Sequence, residues 1–204
     1  MNAQAATLVT MFGLYALKPW YASRLGGVRR VLLARRVSPN AVSLAGIALG
    51  GAAGASFVVL RPGLTAAVVV AVLLAGRLAC ANLDGGLARE SGRATRFGVV
   101  VNELGDRAAE LAALAGLLAL ASPALVAAAA LAASAPSWVA LAGVSAGAGR
   151  LQTGPVGKTE RCLILVAVAA TGWATPLLIV LAVGSLATAV LRLARIHLEI
   201  GATS

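Results

Sequence analysis

Six stretches of this chain are apolar for too long to be loops. They run approximately over residues 40–60, 64–83, 98–121, 124–147, 161–174 and 176–194. A helix needs about 20 mostly apolar residues to cross a bilayer, and only the fifth stretch falls well short, needing help from its flank at Gly157–Glu160. Ala, Leu and Val fill these runs without turn signals, so helices should dominate. The breaks carry turn chemistry at Arg61-Pro62-Gly63, Ser122-Pro123 and Thr175-Pro176. Pro136 lies inside the fourth run and predicts a kink there. The 204 residues are 60% hydrophobic and 12% charged, against about a quarter charged in a soluble domain. That excludes a soluble enzyme, a disordered chain and a disulfide-stapled secreted domain. The expected fold is all-α: a polytopic membrane bundle of six transmembrane helices over residues 38–204, preceded by an amphipathic interfacial segment over residues 1–37.

The net charge of +10 points to lipid by its distribution, and no nucleic-acid partner is expected. Lys18, Arg24, Arg29, Arg30, Arg35 and Arg36 precede the first run. Arg89, Arg93 and Arg96 lie between the second and third; Arg150, Lys158 and Arg161 lie between the fourth and fifth; Arg192 and Arg195 lie at the end. The loops of the opposite side hold Arg61 alone. This alternation predicts an integral membrane protein with both termini cytoplasmic. No cleavable signal peptide is expected, because the first basic residue follows the first apolar stretch. Residues 5–36 mix leucines with these cations and with Tyr15, Trp20 and Tyr21, the pattern of a helix lying on an anionic leaflet and broken near Pro19 and Gly26-Gly27. Ser38 and Pro39 should cap and open the first span. Gly46 and Gly50, with Gly51 and Gly54 beside them, read as close helix packing. Cys80 and Cys162 read as packing residues.

Acids inside membrane spans are costly and therefore functional candidates. Five of the seven acids lie between residues 84 and 110. Asp84 ends the second run; Asn102, Asp106 and Glu110 share one face of the third by their spacing of four. Gly98 sits one turn earlier, where a missing side chain leaves room for a ligand. Oxygen donors of this kind suit Mg²⁺ or Mn²⁺, and such ions usually accompany phosphate. Arg89, Arg93 and Arg96 stand at the same level and are candidates for holding phosphate oxygens. Glu103 and Glu110 are better explained by pairing with Arg107 at i+4 and i+3. For Asp84 and Asp106 function is the better explanation.

Asp84-Gly85-Gly86-Leu87-Ala88-Arg89, then eight residues, Gly98, three residues, Asn102, three residues and Asp106 resembles the signature of the CDP-alcohol phosphotransferase family, D-x2-D-G-x2-A-R-x8-G-x3-D-x3-D. Asp84, Gly85, Ala88, Arg89, Gly98 and Asp106 match without a gap, while Ala81 and Asn102 stand where the first and third aspartates belong. In that family four aspartates hold two metal ions against the diphosphate of a CDP-linked substrate. The resemblance thus implies Asp106 as the base on the acceptor hydroxyl and Asp84 and Asp106 as metal ligands. It implies Gly85, Ala88, Arg89 and Gly98, with Asp84, as walls of the cytidine-diphosphate pocket. It also implies a CDP-linked lipid donor such as CDP-diacylglycerol, a small alcohol acceptor, membrane lipid as partner, and a homodimer. Two divalent ions bring four positive charges that two carboxylates do not balance. A one-metal site and a catalytically silent relative that keeps the nucleotide pocket both stay open. A transporter is the weaker third reading, because the acids gather near one membrane face and no inverted halves are evident. Arg150, Lys158 and Arg161 are candidates either for holding an anionic acceptor or for plain positive-inside anchoring.

Overall fold

The computed structural model describes residues 24–201. Among them every regular element is helical: α1 (Gly26–Ala34), α2 (Pro39–Val59), α3 (Leu64–Glu90), α4 (Arg96–Ala115) running into a 3₁₀ turn (Gly116–Ala119), α5 (Pro123–Ser145), α6 (Lys158–Thr171) and α7 (Ala174–Gly201). The N-terminal expectations at Tyr15, Pro19, Trp20 and Tyr21 lie outside the described residues.

Local chemistry sets these bounds. The Ser38 hydroxyl accepts from the Ala41 N–H at 3.2 Å, and Pro39 occupies the first turn of α2, where its missing N–H costs nothing. Ser122 and Pro123 repeat the device for α5. One break differs from expectation, and the proline expected to kink a helix lies inside a continuous one. The chain turns at Gly172, which takes a left-handed φ of 76° as the cap of α6, so Pro176 falls inside the first turn of α7, where proline is tolerated. α5 runs unbroken as helix through Pro136, whose carbonyl also accepts from Arg192 of α7 at 2.8 Å.

Four helices, α2, α3, α5 and α7, are long and apolar enough to cross a membrane by length and composition. α4 is too rich in charge, and α6 has 14 residues. Side chains such as Val59, Leu64, Val72 and Leu131 are exposed, which suits a lipid-facing surface. Four apolar helices of this length with such a surface are the build of a membrane protein.

The core joins Val70 and Leu74 of α3, Leu114 of α4, Ala133 of α5, Val168 of α6 and Leu178 of α7. α2 packs along both α3 and α4, α3 along α6, and α5 along α7. Glycine permits the tightest crossing. A Cβ added to Gly50 would sit 2.3 Å from the Ala109 carbonyl oxygen, and one added to Gly54 2.2 Å from that of Ala112. Gly46 faces α3, with Cys80 Cβ 3.2 Å away, whereas Gly51 meets nothing within 4 Å. The packing expected of this stripe is present on its i, i+4, i+8 face. A second cluster sets Leu25, Leu32 and Leu33 of the α1 region against Val42, Leu83 and Leu87, so α1 docks at the end of α2 and α3 where the acids lie.

Candidate functional site

The close seating of α2 on α3 and α4 brings one polar face from each helix around a single small cavity. α3 contributes Arg77, Ala81 and Asp84; α4 contributes Asn102, Gly105 and Asp106; α2 contributes Ser43 and Gly46. All four positions of the aspartate pattern, two of them substituted, therefore line the same space. It is partly open and leaves about 10 Å³ to a water-sized sphere, the room of about one water.

Asp84 is 4% exposed. One oxygen accepts from the Ser43 hydroxyl at 2.8 Å and the other from the Gly85 N–H at 2.6 Å. Asp106 pairs with the Lys158 ammonium at the start of α6. Arg77 donates to the main-chain carbonyl of Asp106 at 3.0 Å.

The remaining acids of α4 point elsewhere. Glu103 pairs with Arg150 rather than with the expected Arg107. Glu110 takes the expected i+3 partner Arg107 and also Arg161 of α6, whose Nε lies 2.5 Å from it. Residues 150–161 thus deliver one cation to each carboxylate of α4, in register: Arg150 to Glu103, Lys158 to Asp106, Arg161 to Glu110. Neither role weighed for these three cations from sequence describes this, because the partners are some fifty positions away in the chain. Neither Glu103 nor Glu110 restores the charge lost at Ala81 and Asn102.

The other pattern residues lie around the cavity and outside its walls. Gly98 completes a cap, its N–H donating to the Thr95 hydroxyl at 2.9 Å, and a Cβ there would sit 3.0 Å from that oxygen. Arg89 is exposed and passes over Gly85, with 3.4 Å between its terminal nitrogen and where a Gly85 Cβ would be. Gly86 admits Arg29 of α1, whose Cδ would lie 3.2 Å from a Cβ there, while Arg29 also reaches Glu90 at 2.9 Å. Arg93 and Arg96 are exposed. Arg77 is the residue the sequence reading passed over; an arginine in the middle of an otherwise apolar run was the signal.

The donor set bears on metal. Asp84, Asp106, the Asn102 carbonyl and Ser43 are hard oxygen donors suited to Mg²⁺ or Mn²⁺. Among the described residues no three of His, Cys, Asp or Glu converge as a metal cluster. Two carboxylates, Asp84 and Asp106, balance the charge of one divalent ion and not of two.

A model of the CDP-alcohol phosphatidyltransferase family matches residues 36–194. The inner membrane protein YnbA of Escherichia coli (strain K12) is 30% identical over 153 residues, 74% of this chain and 76% of that protein. Mycobacterium tuberculosis phosphatidylinositol phosphate synthase (PgsA1), solved in complex with manganese and citrate, superposes with a TM-score of 0.67 at 26% identity, over 87% of this chain and 91% of that one. The same enzyme with CDP-DAG bound superposes with a TM-score of 0.67 at 26% identity, over 87% of this chain and 96% of that one. A match of this reach in sequence and in fold, spanning the helices that carry Asp84 and Asp106, means that the chain belongs to the CDP-alcohol phosphatidyltransferase family.

Proposed function

We propose that this protein transfers a phosphatidyl or substituted phosphate group from a CDP-linked donor of the CDP-diacylglycerol type to a small alcohol, with release of CMP, as a step of phospholipid synthesis. Six helices, α2 to α7, cross the bilayer, α1 lies on the inner leaflet, and both termini and the cavity face the cytoplasm. The working form is a homodimer. The observation that carries the activity is the gathering of Ala81, Asp84, Asn102 and Asp106 around one cavity, in a chain whose fold matches an enzyme solved with CDP-DAG bound.

Asp106 takes the proton of the acceptor hydroxyl. The resulting oxygen forms a bond to the phosphorus next to the lipid, and the bond from that phosphorus to the CMP oxygen breaks. Lys158 holds Asp106 until the acceptor arrives and must release it for the proton to move. Asp84 is kept in place by Ser43 and the Gly85 N–H. Asp84, Asp106 and Asn102 would hold one Mg²⁺ or Mn²⁺, which would neutralise phosphate oxygens as charge builds on them. Gly85, Ala88, Arg89 and Gly98 shape the mouth where the nucleotide enters.

The test is CMP release from CDP-diacylglycerol by the purified protein in lipid, with Mg²⁺ or Mn²⁺ and a panel of small alcohols. Loss of release in Asp106→Ala supports the reading. Absence of turnover with every CDP-linked donor overturns it. The second reading, a nucleotide-binding relative without chemistry, draws on the pairing of Glu103 and Glu110 away from the cavity. CDP binding without CMP release would favour it.

A further inference from the structure

Residues 148–157 lead into α6 without regular structure, yet they are tied down along their length. One face of α7 does this. Thr188, Arg192, Arg195 and Glu199 recur at steps of four, three and four, so they form one stripe along the helix. Glu199 accepts from the Gly149 N–H at 2.7 Å, and Arg195 donates to the Thr153 hydroxyl at 2.5 Å. Arg192 donates to the Thr153 carbonyl at 2.9 Å, and the Thr188 hydroxyl accepts from the Val156 N–H at 3.0 Å. The cavity wall comes from α2, α3 and α4, so α7 reaches the site only through this segment.

The link at Thr188 is the tightest. The residue is fully buried. A Cβ added to Gly154, which has a φ of 147°, would fall 2.1 Å from Thr188 Cγ2, and one added to Gly184 would fall 2.4 Å from Val156 Cγ2. Two glycines thus let segment and helix interlock on either side of one hydrogen bond. Val156 is also held through its carbonyl, which accepts from Arg161 at 3.3 Å. Lys158, the first residue of α6, follows two positions later, a tether of at most about 7 Å. Its side chain is 37% exposed where it pairs with Asp106. An ion pair so open to water is weak when a long side chain must be ordered to make it. Fixing the main chain beneath the lysine removes part of that cost.

We propose that Thr188 is a positioning residue acting on Asp106 through Val156 and Lys158: the stripe on α7 clamps the segment and so keeps the Lys158 ammonium on the Asp106 carboxylate. The role of this clamp in transfer rests on the phosphotransferase reading, but the contact is measurable without turnover. The test is acetylation of the full chain in nanodiscs by a low dose of acetic anhydride, read by mass spectrometry. Lys18 and Lys158 are the two lysines of the sequence, and the ratio of their initial rates cancels the dose. Thr188→Val removes the hydroxyl at nearly constant shape and should raise the Lys158 to Lys18 ratio about three- to tenfold, the effect of one hydrogen bond lost. Thr188→Ser should keep the parent ratio. In Asp106→Asn the ammonium has already lost its ionic partner, so adding Thr188→Val should raise the ratio by less than about twofold. Thr153→Val, which unlinks Arg195 and leaves α7 untouched, should move the ratio in the same direction and decides the matter if Thr188→Val does not fold. An unchanged ratio, or an equal rise with Asp106 and with Asn in its place, would overturn the proposal while leaving the phosphotransferase reading standing. Absence of CMP release would overturn that reading, and with it the role of the clamp in transfer, whatever the ratios.

Discussion

Replacing Gly50 by alanine adds one methyl group at the point where α2 meets α4. The new carbon would lie 2.3 Å from the Ala109 carbonyl oxygen and 2.9 Å from its carbonyl carbon and Cα. Those atoms are backbone, so no rotamer change relieves the overlap. A comfortable carbon–oxygen separation is longer by about 1 Å, and α4 has to back away from α2 by roughly that much. Overpacking of this kind typically costs about 1–3 kcal/mol. Function should suffer more than stability, because α4 carries Asn102 and Asp106 into the cavity and a misplacement of about 1 Å can lower a rate about 100-fold. Gly51→Ala is the matched control: it lies next in sequence, adds the same methyl, and meets nothing within 4 Å. The assay pairs the thermal midpoint of each variant in detergent with its rate of CMP release. Gly50→Ala should lose activity steeply with a moderate fall in midpoint, and Gly51→Ala should match the parent in both. Equal behaviour of the two variants would refute the claim that glycine contact between α2 and α4 sets the site.

Other outcomes follow from the same geometry. Asp106→Asn removes the base and should lower CMP release by about 100- to 10,000-fold, with CDP binding retained in a calorimetric titration. Glu110→Gln strands Arg161, which is 4% exposed, and should destabilise the fold by about 3–5 kcal/mol; the double change Glu110→Leu with Arg161→Met should recover much of the loss in a denaturation series. Ser38→Ala removes the hydroxyl that caps α2 and should cost about 1 kcal/mol in the same series. Single cysteines placed at Gly63 and Gly147 in a cysteine-free background should label from opposite sides of the membrane, and labelling from one side would contradict the six-span arrangement.

Much of this structure was legible because apolar length and capping chemistry are local. The helix starts at Pro39 and Pro123 follow from Ser-Pro pairs, and α2, α3, α5 and α7 follow from hydrophobic length. The face shared by Asn102 and Asp106 follows from helical periodicity. What escaped was set by contacts between distant segments. The choice of Arg150 over Arg107 as the partner of Glu103 depends on where the segment after α5 returns. The burial of Arg77 depends on α4 lying across it. The turn at Gly172 won over the Pro176 signal because a left-handed glycine ends a helix firmly, while a proline in the next first turn is harmless.

The three cations at residues 150–161 that pair with Glu103, Asp106 and Glu110 impose an order on biogenesis. During synthesis α4 leaves the ribosome well before α6. Until residues 150–161 follow, Glu103 and Asp106 of the growing polypeptide stand without their counter-ions and Glu110 has Arg107 alone, which opposes passage of α4 into lipid. A ribosome stalled before residue 150 should therefore leave α4 at the membrane surface or in the insertion machinery.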